Sequence, residues 1–202
     1  RVLSGLFEHG WKNVVVVDDG SSDATGEIAR SLGARVLRHA LNRGQGAALE
    51  TGNEYARHQG AKAVVHFDAD DQFNPADING ALERLKNENL AAVLGSRFLD
   101  ARSETPSLKR YLLLPVGRYV NFLFTGALLT DAHNGFRVLS REALEAIHIT
   151  QDGMAHNSEI VAGLKARGLR FAEHPVEVRY HEYGQGIGSG FKIVWDLIFS
   201  RL

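Results

Sequence analysis

The 202-residue chain predicts an α/β fold built on a mostly parallel sheet with helices on both faces. Three observations carry this. Short apolar runs such as Val14-Val15-Val16-Val17 and Ala63-Val64-Val65 have no polar alternation, as expected of strands covered on both faces. Each run stops at a polar or glycine-bearing turn, and a stretch with helical spacing of apolar residues follows. This alternation repeats at short intervals over residues 1–100, as strands joined by crossover helices require.

In chain order, Leu3, Leu6 and Phe7 form the apolar side of a short helix closed by Gly10, and the valine run 14–17 is the first strand. Asp18-Asp19-Gly20-Ser21-Ser22-Asp23 stops it. Residues 24–32 are helical, with Gly33 just past the end, and a second strand covers 34–37. The loop Asn42-Arg43-Gly44-Gln45-Gly46 leads into a helix over 47–58, ended by Gly60. A strand then runs into Phe67-Asp68-Ala69-Asp70-Asp71-Gln72, and Asn74 is expected to cap a helix with Pro75 at its first position and Asp77 at its third. Residues 91–94 are a strand, and 136–139 another, followed by a helix started by Ser140. Asn157 or Ser158 is expected to cap the helix ending near Arg167 and Gly168. Pro175 within the strand-like stretch 171–180 places that segment at a sheet edge or in irregular chain. Residues 101–202 are less regular: 108–129 is apolar but interrupted by Arg110, Pro115 and Arg118, the segment 183–190 is glycine-rich, and 191–202 has the apolar spacing of a C-terminal amphipathic helix.

Composition narrows the function. The chain is 44% hydrophobic and 23% charged, which excludes wholesale disorder, and its net charge of -1 argues against a dedicated nucleic-acid surface. It has no cysteine, so thiolate metal sites and cysteine nucleophiles are excluded. No apolar run reaches the roughly 20 residues of a bilayer-spanning helix.

The chemistry gathers at residues 68–72. In an extended segment Asp68 and Asp70 would face the same way, and two converging carboxylates repel unless a cation lies between them. A hard divalent ion carrying phosphate oxygens suits such a pair. Parallel strands would bring Asp18 and Asp19 to the same rim of the sheet. Loops on that rim would add Arg97 and Arg137, and arginine grips phosphate with a rigid fork. Together these imply a diphosphate-bearing substrate. The loop around Gly44 and Gly46 matches neither the nucleoside-triphosphate cradle nor the dinucleotide fingerprint.

Five motifs in order resemble the signatures of family 2 glycosyltransferases with the GT-A (Rossmann-like) fold. They are Asp18-Asp19-Gly20-Ser21-Ser22-Asp23-Ala24-Thr25, Asn42-Arg43-Gly44-Gln45-Gly46-Ala47-Ala48, Asp68-Ala69-Asp70-Asp71-Gln72, Gly95-Ser96-Arg97-Phe98 and Asn134-Gly135-Phe136-Arg137. Within that family the chain looks most like polyprenyl- or dolichyl-phosphate mannosyl- and glucosyltransferases. The resemblance implies one domain over 1–202, with 1–100 holding a nucleotide diphosphate sugar (a UDP- or GDP-hexose) and 101–202 forming the acceptor side with membrane-surface helices. It implies that Asp18, Asp19, Gly20, Ser21 and Gly44 meet the nucleotide and that Asp68 and Asp70 hold Mg²⁺ or Mn²⁺. Gln72 would orient the phosphate side, Arg97 and Arg137 would hold phosphates, and Glu159 would stand near the acceptor.

The implied reaction is inverting transfer of a hexose to a polyprenyl phosphate, at the cytoplasmic face of a membrane. The alternatives are a family member acting on a saccharide, glycolipid or protein acceptor in cell-envelope polysaccharide synthesis, and a sugar-nucleotide binding module without turnover. Nucleotidyl transfer fits the ordered motifs poorly. One departure is that no counterpart of the family's opening strand, ending in Pro-x-Tyr/Phe-Asn-Glu, precedes Arg1, so a strand upstream is expected.

Overall fold

A computed structural model describes residues 1–100, 102, 122, 126–131 and 134–179. The elements are α1 (Val2–Glu8), β1 (Val15–Asp18), α2 (Thr25–Ser31), β2 (Arg35–Arg38), α3 (Gln45–His58), β3 (Ala63–His66) and α4 (Asp77–Asn87), then β4 (Ala92–Ser96), β5 (Arg137–Ser140), α5 (Arg141–Ala146), α6 (His156–Ala166) and β6 (Phe171–Pro175). The α/β class and the element order match the sequence reading. The expected helices in 108–129 and 191–202 and the glycine-rich 183–190 fall wholly or mostly outside the described residues.

The strands form two sheets. β1 and β2 pair in parallel, Val15 opposite Arg35 and Asp18 opposite Arg38. The other sheet has the order β3-β5-β4-β6, with β5 antiparallel to both β3 and β4 and β6 parallel to β4. The sheet is therefore mixed, not mostly parallel. The connection before β5 spans some forty residues, long enough to return the chain in either direction, so simple strand-helix alternation no longer sets the strand's sense. Pro175 ends the edge strand β6, where its missing N–H costs no ladder bond.

Helices cover both faces of this second sheet. On one side Ile78, Ala81 and Leu85 of α4 and Leu6 of α1 pack with Val93 and Val138. On the other, Ala143 of α5 and Ile160 and Leu164 of α6 pack with Ala92 and Leu139. Adjacent strand residues thus enter opposite cores, as the period of two dictates. Phe67, Phe73 and Phe136 meet edge to face, with centroids 5.7–6.2 Å apart, beneath the acidic loop.

Three expectations about local structure are corrected. The valine run of β1 is only half-buried at Val15, Val16 and Val17, because among the described residues β1 pairs with β2 alone and keeps an open edge. α4 starts at Asp77 with no side-chain cap. Asn74 spends its carbonyl oxygen on the amide of Ala76 and its NH₂ group on Glu177, making a turn before the helix. Asn157 and Ser158 lie inside the first turn of α6, which starts at His156 behind Ala155, and both are buried. The Ser140 cap is as expected: its Oγ accepts from the Ala143 amide at 3.2 Å. Among the described residues no helix is long and apolar enough to cross a membrane.

Candidate active site

Two clusters form beside one another where strands end. The first is built by β1. Asp18, its last residue, is buried; its Oδ1 accepts from the Ser21 amide at 2.9 Å, and Arg38 Nε lies 3.5 Å from Oδ2. The Ser21 hydrogen bonds hold Asp18 below the usual carboxylate range. Asp19 reaches across to the glycine loop. Its Oδ1 accepts from the Arg43 amide at 2.9 Å and faces His39 Nδ1 at 2.6 Å, while Oδ2 accepts from the Gly44 amide at 2.6 Å. Burial pushes Asp19 upward, but these bonds outweigh it and its carboxyl stays low. His39 is fixed in turn by Thr51, 2.8 Å from Nε2. Gly20 sits at φ +73, and an added Cβ there would stand 2.8 Å from the Asn42 nitrogen, so the 18–23 and 41–44 turns need a bare backbone to meet.

The second cluster is built by the chain after β3. The strand ends at His66, and Asp70 lies in a turn, so strand alternation does not place the two carboxylates. The turn brings them together regardless. Burial raises the Asp68 carboxyl above the ordinary range, and the nearby charge of Asp70 raises it further. Asp70 is exposed and accepts from the Gln72 amide at 3.1 Å; Asp71 takes the left-handed conformation at φ +64 that closes the turn. Gln72 contributes its backbone here, its carbonyl accepting from the Arg179 amide. Asp68 Oδ1 accepts from Gln45 Nε2 at 2.9 Å, and Oδ2 lies against Gly135.

Arg137 and Arg97 stand nearby but are not the open phosphate grips the sequence suggested. Arg137 is 2% exposed and donates through Nη2 to Asn134 O and Asn157 Oδ1. Burial lowers it to about 10, and Asp68 and Asp131 oppose that shift, so it is a cation placed behind Asp68. Cross-strand from it, His66 is buried neutral, its pKa lowered to about 3 by desolvation and then by the charges of Arg137 and His156; its Nε2 pairs with Asn53 Oδ1 at 2.8 Å. Arg97 forms a 2.6 Å ion pair with Asp131, which also receives Asn134 Nδ2.

Glu159, which the resemblance places near the acceptor, is engaged by its own turn. Its carboxylate accepts from the Thr150 and Gln151 amides at 3.0 Å and from the Thr150 hydroxyl, so it braces the turn before α6. That turn abuts the glycine loop: the Gly46 amide donates to Asp152 O at 2.8 Å, and a Cβ on Gly44 or Gly46 would run into the carbonyls of Asp152 or Gln151. The sequence reading passed over Gln45, Gly135, His39 and Asp131 as site residues. The first two lie inside quoted motifs, but their roles depend on contacts with Asp68 that spacing does not reveal.

A divalent ion fits this donor set in one way. Among the described residues no three His, Asp or Glu side chains gather as a metal cage. Asp68 and Asp70 are two neighbouring carboxylates whose mutual repulsion Arg137 and Gln45 offset only in part, and among the described residues no hydrogen bond is made to Asp68 Oδ2. Mg²⁺ and Mn²⁺ are commonly held by one or two carboxylates, with water and substrate phosphates completing the shell.

Comparison with known proteins shows the family and the fold. The family model "Glycosyl transferase family 2" matches residues 2–148, and the chain belongs to that family. An uncharacterized protein of Methanocaldococcus jannaschii is 36% identical over all of this chain and 86% of its own length. UDP-N-acetylglucosamine–dolichyl-phosphate N-acetylglucosaminyltransferase of Methanococcus voltae is 29% identical over all of this chain and 90% of its own. Among solved structures, glucosyl-3-phosphoglycerate synthase of Mycobacterium tuberculosis, in complex with Mn²⁺, UDP and glucosyl-3-phosphoglycerate, superposes with a TM-score of 0.72 at 18% identity. The match covers 98% of this chain and 71% of that one. Its complex with Mn²⁺, UDP-glucose and phosphoglyceric acid gives 0.65 at 19% identity, covering 91% and 65%. The likeness establishes a GT-A-like fold, and family membership makes the chain a glycosyltransferase.

The polyprenyl-phosphate acceptor expected from the motifs is corrected by these findings. Solved structures sharing the fold include those of an enzyme whose named acceptor-side molecules are phosphoglyceric acid and its glucosyl product, so the fold and motifs do not carry a lipid acceptor.

Proposed function

We propose that the protein transfers a hexose-type sugar from a nucleotide diphosphate sugar to a saccharide or other non-lipid, phosphate-bearing acceptor, with Mg²⁺ or Mn²⁺ at Asp68 and Asp70. The observation that carries this is the crowding of those two carboxylates beside a loop organised by Asp19 and Gly44. A bound divalent ion would neutralise the leaving diphosphate. The remaining work belongs to the chain. Asp68 and Asp70 supply the negative oxygens, and Arg137 offsets part of their repulsion from behind. Asp18 to Ser21 and Gly44 form the wall against which a nucleoside would lie, and Gln72 holds Asp70 through its amide. Residues 1–100 then form the donor half and 101–202 the acceptor half.

The test is turnover of UDP- and GDP-sugars with Mn²⁺ or Mg²⁺, comparing the unsubstituted protein with Asp70→Asn. We expect a loss of at least about 100-fold on removing that charge. Donor binding without turnover in the unsubstituted protein would instead favour a binding module. Metal-independent turnover in Asp70→Asn would overturn the assignment.

A further inference from the structure

We propose that Gln45 is a positioning residue which, with Gly135, clamps the Asp68 carboxylate and registers it against the glycine loop. The inference rests on the reading of Asp68 as a metal-facing carboxylate, and it concerns how that group is held. Asp68 follows β3 in non-strand chain, where no ladder fixes its direction. Two contacts do so instead. Gln45 Nε2 donates to Oδ1 at 2.9 Å, and Oδ2 rests where a Cβ of residue 135 would be, so only glycine leaves the space.

Gln45 is itself held unusually well. It opens α3 between two anchored amides: Gly44 N donates to Asp19 Oδ2 at 2.6 Å, and Gly46 N to Asp152 O at 2.8 Å. Its neighbour Gly44, at φ +108, adopts a backbone that other residues rarely take. The side-chain amide therefore leaves from a fixed point, which lowers the entropy lost in fixing Asp68. The choice of an amide also matters. A carboxylate oxygen accepts from an N–H or O–H donor, and a neutral donor satisfies it while leaving the full negative charge, whereas a lysine ammonium would neutralise it. Arg137 already supplies a cation behind this group, buried and tied to Asn134 and Asn157. The same residue thus links the cluster at Asp19 and Gly44 to the cluster at Asp68, which keeps the two ends of a diphosphate sugar in register.

The test uses Gln45→Met, which keeps length and bulk but removes the donor, and Gln45→Glu, which replaces the donor with a repelling charge. Crystal structures of the metal-free variants report the Asp68 side chain directly. We expect it to leave its present rotamer in both, and Mn²⁺ affinity in the presence of UDP or GDP, read by the electron paramagnetic resonance of bound Mn²⁺, to fall about tenfold in Gln45→Met and further in Gln45→Glu. An unmoved Asp68 in the metal-free crystals would overturn the clamp whatever the metal does. Absence of Mn²⁺ binding by the unsubstituted protein, with Asp68 displaced in the variants, would leave the clamp standing and overturn the proposed function. Gly135→Ala is the independent second variant: its backbone is not left-handed, so alanine is tolerated locally and displaces Asp68 by contact alone.

Discussion

β1 and β4 are both short and apolar, Val-Val-Val-Asp and Ala-Val-Leu-Gly-Ser, yet every residue of β4 is buried and the three valines of β1 are only half so. The difference lies in their neighbours. β4 has a strand on each side and a helix layer on each face, whereas β1 has one strand partner among the described residues and rests mainly on α2 and α3. Strand chemistry sets what can be covered, and topology decides what is. The larger sheet carries Arg137 and leads into Asp68, while the β1–β2 pair carries Asp18 and leads into Asp19. The strands differ in burial, but past the end of each one hydrogen bonds hold the carboxylate, from Gln45 at Asp68 and from the Arg43 and Gly44 amides at Asp19.

That contrast can be broken by measurement. Leu139→Ala, at a site 1% exposed, should cost about 2–5 kcal/mol, whereas Val16→Ala in β1 should cost well under half of that. Equal shifts in denaturant midpoint would dissolve the distinction between the two sheets.

Acid should weaken the larger sheet next. His66 is held neutral in the fold with a pKa of about 3 and regains its ordinary value near 6.5 on unfolding. The unfolded chain therefore binds the extra proton, and the contribution is fully present above 6.5 and lost as pH falls from 6.5 toward 3. The slope should be on the order of 1 kcal/mol per pH unit, read from urea unfolding of the metal-free protein. A flat profile from pH 6.5 to 4.5 would mean that His66 is not sealed from water.

The smallest effect concerns a helix end. Ser140→Ala should cost about 1 kcal/mol by unmaking the cap of α5. Substituting Ala24 or Ala155, which lead into α2 and α6 without any side-chain cap, should remove no comparable bond.

Legibility in the sequence followed the range of the interactions involved. Helix ends at Gly10, Gly33, Gly60 and Gly168 could be read directly, and all four glycines have positive φ, because the requirement is local to one residue. The Ser140 cap was readable for the same reason. The caps assigned to Asn74 and Asn157 failed because the capping oxygens are used elsewhere, that of Asn74 on the Ala76 amide in a turn ahead of the helix and that of Asn157 on the distant Arg137. The site residues divide along the same line. Acidic groups at strand ends were visible as a pattern, but whether Arg137 or Glu159 faces outward depends on Asn134, Asn157, Thr150 and Gln151, residues brought to them by folding. The direction of β5 was hidden because a long connection carries no sign of which way it returns.

The meeting of residues 44 and 46 with the carbonyls of 151 and 152 is made by main chain on both sides. Such a joint is read by shape and offers no side chain through which selectivity could be tuned. Substitutions meant to reshape this region would therefore have to leave the seam untouched and alter groups around its margin, such as the exposed pair Arg43 and Asp152.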